Sequence, residues 1–283
     1  MVEVKSKTKD EKPEAATSVL DAFYTIEDPK ASKSMREILI QYSKIPENEI
    51  ISHVKAIRDK AWQVFKYPCV GSYFFLNQTI ALSPTYSHVL ERVKAGDKLL
   101  DLGCCFGQDV RKFVFAGAPA QNITTTDLEQ LFLDLGYDLF QDRDTLETRF
   151  IAADFFAPEL PDGLNEGSFD VIHAASFFHL FSRAEQKYLF TRAVGLLKRK
   201  PGSIIFGRQL GSAGKPRVDK IGDLKSGESY KHNEASWKAM VQEVAEATGM
   251  ELAVECSFHD VEFQNQKRMV HWKLFWFKVT MMT

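Results

Sequence analysis

The 283-residue sequence contains no apolar run close to the roughly 20 residues that a helix needs to cross a bilayer. Its first residues, MVEVKSKTKDEKPEAATS, include no apolar segment of the kind that a secretory signal requires. Its four cysteines are too few and too irregularly spaced for a disulfide scaffold. We therefore expect a cytoplasmic protein with no membrane partner.

The chain also lacks an excess of positive charge. Its 36 Lys and Arg residues stand against 38 Asp and Glu residues, which gives a formal net charge of -2. Because proteins that bind nucleic acid usually carry a basic surface, we expect a small-molecule substrate and no nucleic-acid partner. The composition, 45% hydrophobic and 26% charged, is that of an ordinary globular protein, which we expect to be a monomer or a homodimer.

The chain divides into three predicted regions. Residues 1–18 are polar and charged, which predicts a disordered tail. Residues 19–95 predict an N-terminal helical cap or lid, because apolar residues recur every three or four positions in SMREILIQYSKI and NEIISHVKAIRDKAWQVF, and SPTYSHVLERV has a typical helix start. Residues 96–283 form the predicted ligand-binding domain.

Strand and helix patterns alternate in that domain. DKLLDLG, NITTTDL, TRFIAADFF, FDVIHAAS and GSIIFGR predict strands, with helical patterns between most of them. This alternation is typical of a doubly wound, mostly parallel α/β sheet. The glycine-containing segment 207–231 predicts a mobile loop. A helix ending at Gly249 and an antiparallel pair of strands at the sheet edge are expected to complete the domain.

Ligands bind beyond the carboxyl ends of the strands in such sheets. Asp101, Gly103 and Gly107 follow the first strand as D-x-G-x-x-x-G, where glycines permit close approach of a ligand and the next helix begins. A dinucleotide fingerprint would need glycine at 103, 105 and 108, but Cys105 and Gln108 occupy two of these positions. This weakens the alternative of an NAD-dependent oxidoreductase.

Two further acids end the next two strands. Asp127 is placed to accept hydrogen bonds from both hydroxyls of a ribose, and Asp154, with Phe155 and Phe156, is placed to hold the amino group and the face of an adenine. Three acids at three successive strand ends predict a binding site for a nucleoside without phosphates.

These segments, LLDLGCCFG, TTDL, AADFF, FDVIHAASFFHLF and LLKRKPGSIIFGR, together resemble a class I methyltransferase that uses S-adenosylmethionine. The resemblance implies a Rossmann-like fold with a seven-stranded sheet, and it places the methionine moiety near the first-strand loop, where Cys105 replaces a customary glycine. The predicted cofactor-binding residues are Asp101, Gly103, Cys104, Gly107, Asp127, Leu128, Asp154, Phe155 and Tyr67.

A narrower resemblance, carried by YPCVGSYFFL, LGYDLF, SFFHLF and GRQLG, is to fungal meroterpenoid methyltransferases of the austinol and terretonin type. It implies methylation of a carboxylate of a meroterpenoid or aromatic polyketide acid to a methyl ester. Methylation of a phenolic or other hydroxyl group is the alternative, and a non-catalytic nucleoside-binding protein is a more distant one.

The remaining candidates face the reacting centre. His179, after the fourth strand, is the predicted catalytic residue, acting as a base or as a hydrogen-bonding group unless it is structural. Phe74, Phe178 and Arg208 are the predicted substrate-binding residues, because an arginine suits a planar carboxylate. Cys104 and Cys105 are interpreted as small residues in a tight turn, and no metal is expected.

Overall fold

The computed structural model describes residues 19–221, 227–259 and 273–283. The predicted tail at 1–18 therefore lies outside the described residues, as does Gly222. The strands of the described residues are β1 Leu99–Leu102, β2 Ile123–Asp127, β3 Arg149–Ala152, β4 Val171–Ala175, β5 Ile204–Gly211, β6 Arg217–Lys220, β7 Glu228–Lys231, β8 Leu252–His259 and β9 Lys273–Met281. Seven of them form a central sheet in the order β3-β2-β1-β4-β5-β9-β8.

The predicted doubly wound sheet is confirmed. Strands β1 to β5 run parallel, whereas β9 pairs antiparallel with both β5 and β8. Every residue of β1 is buried, as is typical of a parallel strand covered by helices on both faces. Residues of the edge strand β8 alternate between half-buried and exposed, so only one face of this strand is covered.

Eight α-helices accompany the strands in the described part of the chain, besides short 3₁₀ and π-helical turns. They are α1 Lys33–Glu37, α2 Ile50–Val64, α3 Pro68–Gly71, α4 Tyr86–Lys94, α5 Gln108–Phe115, α6 Gln130–Phe140, α7 Arg183–Leu196 and α8 Glu234–Thr248. Ser182 and Asn233 begin α7 and α8 with reciprocal side-chain and backbone hydrogen bonds. Gly249, at φ 66°, ends α8 as predicted, in a conformation that favours glycine. In the described residues, no helix is both long and apolar enough to cross a membrane.

The N-terminal helices pack on one end of the central domain. The first predicted helix is α1, which continues as a π-helical turn over Ile38–Tyr42, and the second is α2. Their apolar side chains share one core cluster with Phe106 and Phe132 of the central domain. The hydroxyl of Tyr42 also donates to Asp142, 2.8 Å away.

Asp142 joins this contact to the interior. Its two carboxylate oxygens accept hydrogen bonds from Nε and Nη2 of Arg111, at 2.9 and 2.8 Å, and both side chains are buried. A buried charge pair of this bidentate kind leaves little freedom of orientation. This ion pair therefore connects α5 to the segment that follows α6, beneath the cap.

The prediction of a mobile loop over residues 207–231 is wrong for most of this segment. Strand β5 extends to Gly211 because it pairs with β9, and a second, two-stranded sheet forms from β6 Arg217–Lys220 and β7 Glu228–Lys231. The backbone N–H of Tyr230 donates to the Phe181 carbonyl at 3.0 Å. Glycine content predicted a loop, but pairing with distant strands satisfies the backbone groups in an extended form.

Candidate active site

A cavity of about 330 Å³ lies at the carboxyl ends of the parallel strands. Strand order places Asp154, Asp127 and Asp101 successively along one half of its wall. The residues that follow β4 and those of the second half of β5 line the other half. The predicted site residues on the wall are Tyr67, Phe74, Asp101, Gly103, Cys104, Asp127, Leu128, Asp154, Phe155, His179 and Arg208. Gly107 and Phe178 are not among the lining residues.

The loop after β1 is shaped by its backbone. Gly103 has φ 71°, and a Cβ atom there would lie 2.6 Å from the ring of Phe177. The N–H groups of Gly103 and Cys104 both donate to the carbonyl of Thr126 on β2, at 2.9 and 3.0 Å. The loop therefore passes close to β2, and the ring of Phe177 leaves no room for a side chain at residue 103.

Gly107 serves the helix that follows. It has φ 65° and is the N-cap residue of α5, where a Cβ would lie 2.5 Å from Arg111 Nη1 and 2.9 Å from Phe150. Gly107 thus packs the start of α5 and is not among the residues that line the cavity, and its contact with the cofactor stays a prediction.

Cys105 occupies the position where related loops carry glycine, and it adopts the left-handed conformation at φ 55°. Its N–H donates to Asp127 Oδ2 at 2.8 Å, and the residue lines the cavity together with Cys69 of the cap. The side chain also packs against the core cluster of the cap. Burial raises the pKa of the neighbouring Cys104 thiol, which disfavours a reactive thiolate.

Asp127 is a partly buried acid at the end of β2. Burial raises the pKa of its carboxyl to about 6, although the N–H groups of Cys105 and Glu129 donate to it. Asp154, at the end of β3, accepts a hydrogen bond from the N–H of Phe156 at 2.8 Å. Both acids lie on the wall, and Leu128 is 55% exposed at its edge.

Aromatic residues of the cap form a second side of the cavity. Tyr67 lies directly before α3 and lines the cavity together with Phe74. The ring centroid of Tyr67 lies 4.1 Å from that of Phe65 and 5.9 Å from that of Phe132. Burial raises the pKa of the Tyr67 phenol, so this hydroxyl stays protonated. The cap and the domain core thus jointly hold this ring at the cavity.

His179 lies on the wall beyond β4. The side chain is 6% exposed, and its Nδ1 atom has no hydrogen-bond partner among the described residues. Burial and the charges of Lys231 and Arg208 hold the pKa of this imidazole well below its usual range. Arg208 Nη1 donates to Ser176 Oγ at 2.6 Å. His179 is therefore a neutral, poorly basic group beside two cations.

Phe178, predicted to bind substrate, is instead a core residue. It is fully buried, and its ring contacts Phe190, Trp237 and Phe277 with centroid distances of 5.5, 6.1 and 6.2 Å. The short 3₁₀ turn Phe178–Leu180 directs residue 178 into the core and leaves His179 on the cavity wall. Two adjacent residues of this turn therefore face different regions: Phe178 packs in the core and His179 lines the cavity.

Comparison with known proteins identifies the family. A family model described as meroterpenoid methyltransferase N-terminal domain matches residues 23–76, and a methyltransferase domain model matches residues 99–200. The chain is 42% identical over 223 residues to the O-methyltransferase phiE of Fungal sp. strain ATCC 74256, spanning 78% of this chain and 73% of the relative. It belongs to the meroterpenoid-type methyltransferases.

Two further comparisons agree with this assignment. The methyltransferase is 40% identical over 238 residues to methyltransferase adrK of Penicillium roqueforti, spanning 83% of this chain and 84% of that protein. Its fold is shared with 1,6-didemethyltoxoflavin-N1-methyltransferase of Burkholderia thailandensis, solved with S-adenosylhomocysteine, at 15% identity and TM-score 0.52 over 91% and 94% of the two chains. S-adenosylmethionine is the cofactor of this methyltransferase.

The cavity wall suits that cofactor chemically. Among the described residues, Gln108 Oε1, Asp109 Oδ1 and Thr126 Oγ1 are buried without a hydrogen-bond partner, and all three side chains line the cavity. Buried polar atoms of this kind are normally satisfied, so a polar ligand is expected to complete them. Burial raises the pKa of Asp109 to about 6, and its ionised form suits an ammonium group. When bound, S-adenosylmethionine supplies a methyl group on a positively charged sulfur.

Sequence patterns did not point to three residues that lie on or next to the cavity wall, namely Asp109, His173 and Lys231. Asp109 was detectable, because an acid in the first turn of the helix after a glycine loop is a recognisable signal. His173 pairs with Asp101 only because β4 lies beside β1. Lys231 lies on the wall only because β6 and β7 form a hairpin within a segment that predicts a loop. The last two depend on strand pairing and carry no local signal.

Proposed function

We propose that this methyltransferase converts a carboxylate of a meroterpenoid or aromatic polyketide acid to its methyl ester. The observation that supports this best is the cationic wall beyond β4 and β5, where Arg208 and Lys231 flank the cavity beside His179. A carboxylate, with a reference pKa near 4, is already ionised at pH 7 and needs no base. Cations that bind it and a weakly basic imidazole both suit such an acceptor.

The proposal assigns the two halves of the cavity to different ligands. Asp127 would hold the ribose hydroxyls, and Asp154 with Phe155 would hold the adenine, because these residues lie at the β2 and β3 ends. The acceptor would then occupy the space beyond β4 and β5, between the Phe74 ring of the cap and Arg208. The cap region 19–95 would exclude water from the reaction. Positioning of this kind can supply about 7 to 11 kcal/mol of the barrier.

Methylation of a phenolic hydroxyl is the second candidate. A phenol, with a reference pKa near 10, normally needs a base. His179 is a poor one, but burial lowers the pKa of Lys231 to about 8, so a fraction of this amine is neutral at pH 7 and can accept a proton. This candidate predicts a rate that rises with pH through about 8.

A probe that carries both acceptors separates these candidates. We would incubate the protein with methyl-labelled S-adenosylmethionine and a farnesylated hydroxybenzoic acid, and repeat the assay with its methyl ester and with the matching phenol that lacks the carboxyl group. Mass analysis before and after mild alkaline hydrolysis distinguishes an ester from an ether. The proposal predicts a base-labile methyl group on the acid alone. A base-stable methyl group on the phenol or the ester would overturn it.

A further inference from the structure

Lys231 is held on the cavity wall by a small hairpin. It is the last residue of β7 and lies opposite Arg217 of β6. The neighbouring residue, Tyr230, anchors the hairpin to the end of the 3₁₀ turn through the carbonyl of Phe181. The hairpin therefore fixes Lys231 to the same turn that presents His179, so both side chains reach one part of the cavity.

The Lys231 side chain is a buried cation without a carboxylate partner among the described residues. It is 3% exposed, and its ammonium donates to the His179 carbonyl at 3.3 Å and to the Ser229 hydroxyl, which itself donates to that carbonyl. An ammonium group has three donors, so one remains for another acceptor. Buried charges in proteins are usually paired, which points to an anion supplied from the cavity.

Three charged side chains lie near the Lys231 ammonium: Asp219, Arg217 and Arg208. Asp219 of β6 lines the same cavity and favours the charged form of Lys231 without forming an ion pair with it, whereas Arg217 opposes that form. Arg208, within β5, lines the same wall. Two cations on one side of an otherwise mostly apolar and aromatic space suit a single carboxylate, which has two acceptor oxygens.

We infer that Lys231 recognises the carboxylate of the methyl acceptor together with Arg208, and so determines the preference for acids over neutral analogues. This inference rests on the proposed function. It makes Lys231 a specificity residue delivered by the β6–β7 hairpin, and it explains why a lysine is buried where a structural role alone would favour an uncharged residue.

The experiment measures binding of two matched probes in the presence of S-adenosylhomocysteine. The probes are the farnesylated hydroxybenzoic acid and its primary carboxamide, which has the same shape and no charge. The variants are Lys231→Met, Lys231→Arg and the control Lys220→Met, which makes the same change at the largely exposed lysine of the same hairpin. Thermal unfolding and S-adenosylhomocysteine affinity, measured for each variant, report the state of the fold.

We expect the wild type to prefer the acid and Lys231→Met to weaken acid binding by about 10- to 100-fold, as is typical for a lost charged hydrogen bond. Amide binding and S-adenosylhomocysteine affinity should change less than about twofold, Lys231→Arg should recover part of the loss, and Lys220→Met should match the wild type. In turnover, KM for the acid should rise more than kcat falls.

Equal loss of acid and amide binding in Lys231→Met would overturn the inference, because it would indicate a structural role. So would an unchanged acid affinity, or a wild type without preference for the acid. If Lys231→Met fails to fold, the Lys231→Arg variant tests the inference instead. This variant keeps the positive charge, so a folded Lys231→Arg protein with no preference for the acid would contradict recognition by charge. A methyl ester product with any of these results would leave the proposed function intact, whereas an ether product would overturn both.

Discussion

Asp101 and His173 lie opposite each other on the neighbouring parallel strands β1 and β4, with Oδ1 of the acid 2.8 Å from Nδ1 of the imidazole. Their exposed fractions are 4% and 1%. The pair lies directly beneath the cavity loop, since Asp101 precedes Gly103 by two residues. The loop that lines the cavity thus follows a strand pair whose buried side chains are hydrogen-bonded to each other.

The first prediction concerns this pair. Asp101→Ala and His173→Ala should each lower the free energy of unfolding, because each leaves a buried polar group without its partner at a cost of about 1–3 kcal/mol. The double variant should lose less than the sum of the two, with a coupling of about 0.5–3 kcal/mol. Urea unfolding of the four proteins measures this cycle, and strictly additive losses would show that the two residues act independently.

The second prediction is a pH dependence of cofactor binding. Burial raises the pKa of Asp127 to about 6, and in the proposed binding mode its ionised form would accept hydrogen bonds from both ribose hydroxyls. The affinity for S-adenosylhomocysteine should therefore be constant above about pH 7 and fall below pH 6, by up to about tenfold per pH unit for one proton. Calorimetric titration between pH 5 and 8 measures the slope.

Variants assign this slope to its source. Asp127→Asn should bind S-adenosylhomocysteine weakly at all these pH values. The part of the pH dependence that comes from Asp127 should be absent in this variant. Asp109 also has a pKa of about 6 and lines the same cavity, so Asp109→Asn is the matched control and should retain the contribution from Asp127. An Asp127→Asn protein with the wild-type slope would assign the titration elsewhere.

The third prediction concerns His179. If the acceptor is a carboxylate, His179→Gln should retain kcat within about tenfold of the wild type, because a general base typically contributes about 100-fold or more. The pH–rate profile of the wild type should have no limb near neutrality from His179, since the pKa of this imidazole lies well below its usual range. His88→Gln, on the exposed side of α4, controls for the substitution itself. A loss beyond about 100-fold on the acid, against normal cofactor binding, would instead indicate base catalysis.

The fourth prediction separates two phenylalanines. Phe178→Leu should lower the free energy of unfolding by about 1 kcal/mol, because its ring packs among core aromatic residues, and should leave KM for the acceptor unchanged. Phe74→Leu should raise KM for the acceptor and leave the free energy of unfolding nearly unchanged, because the ring of Phe74 lines the cavity. Denaturant unfolding and steady-state kinetics on both variants test this contrast, and a KM effect confined to Phe178→Leu would refute it.

Much of the architecture was predictable because it depends on local patterns. Apolar runs alternating with helical periodicity predict a parallel sheet covered on both faces, and in such a sheet the carboxyl ends of neighbouring strands meet at one edge. Asp101, Asp127 and Asp154 could therefore be placed on one wall before any coordinates were known, and all three line the cavity. The same reasoning predicted the terminal antiparallel strands.

The acceptor half of the site was less predictable because it depends on contacts between distant segments. The alternation of residues does not distinguish Phe178 from His179, and only the 3₁₀ turn decides which of them faces the cavity. Cys105 adopts the left-handed backbone expected of a glycine, and it packs against the same cap cluster as Cys69, which is far away in the sequence.

By itself, the sequence determined the fold class, the family and the strand-end acids, since hydrophobic periodicity and short motifs are properties of neighbouring residues. Only the tertiary structure decided that Lys231 and Arg208 share one wall with His179. The reason is physical: Lys231 reaches the cavity through strand pairing between β6 and β7 and a hydrogen bond from the hairpin to Phe181, and such pairing depends on which distant backbone groups meet.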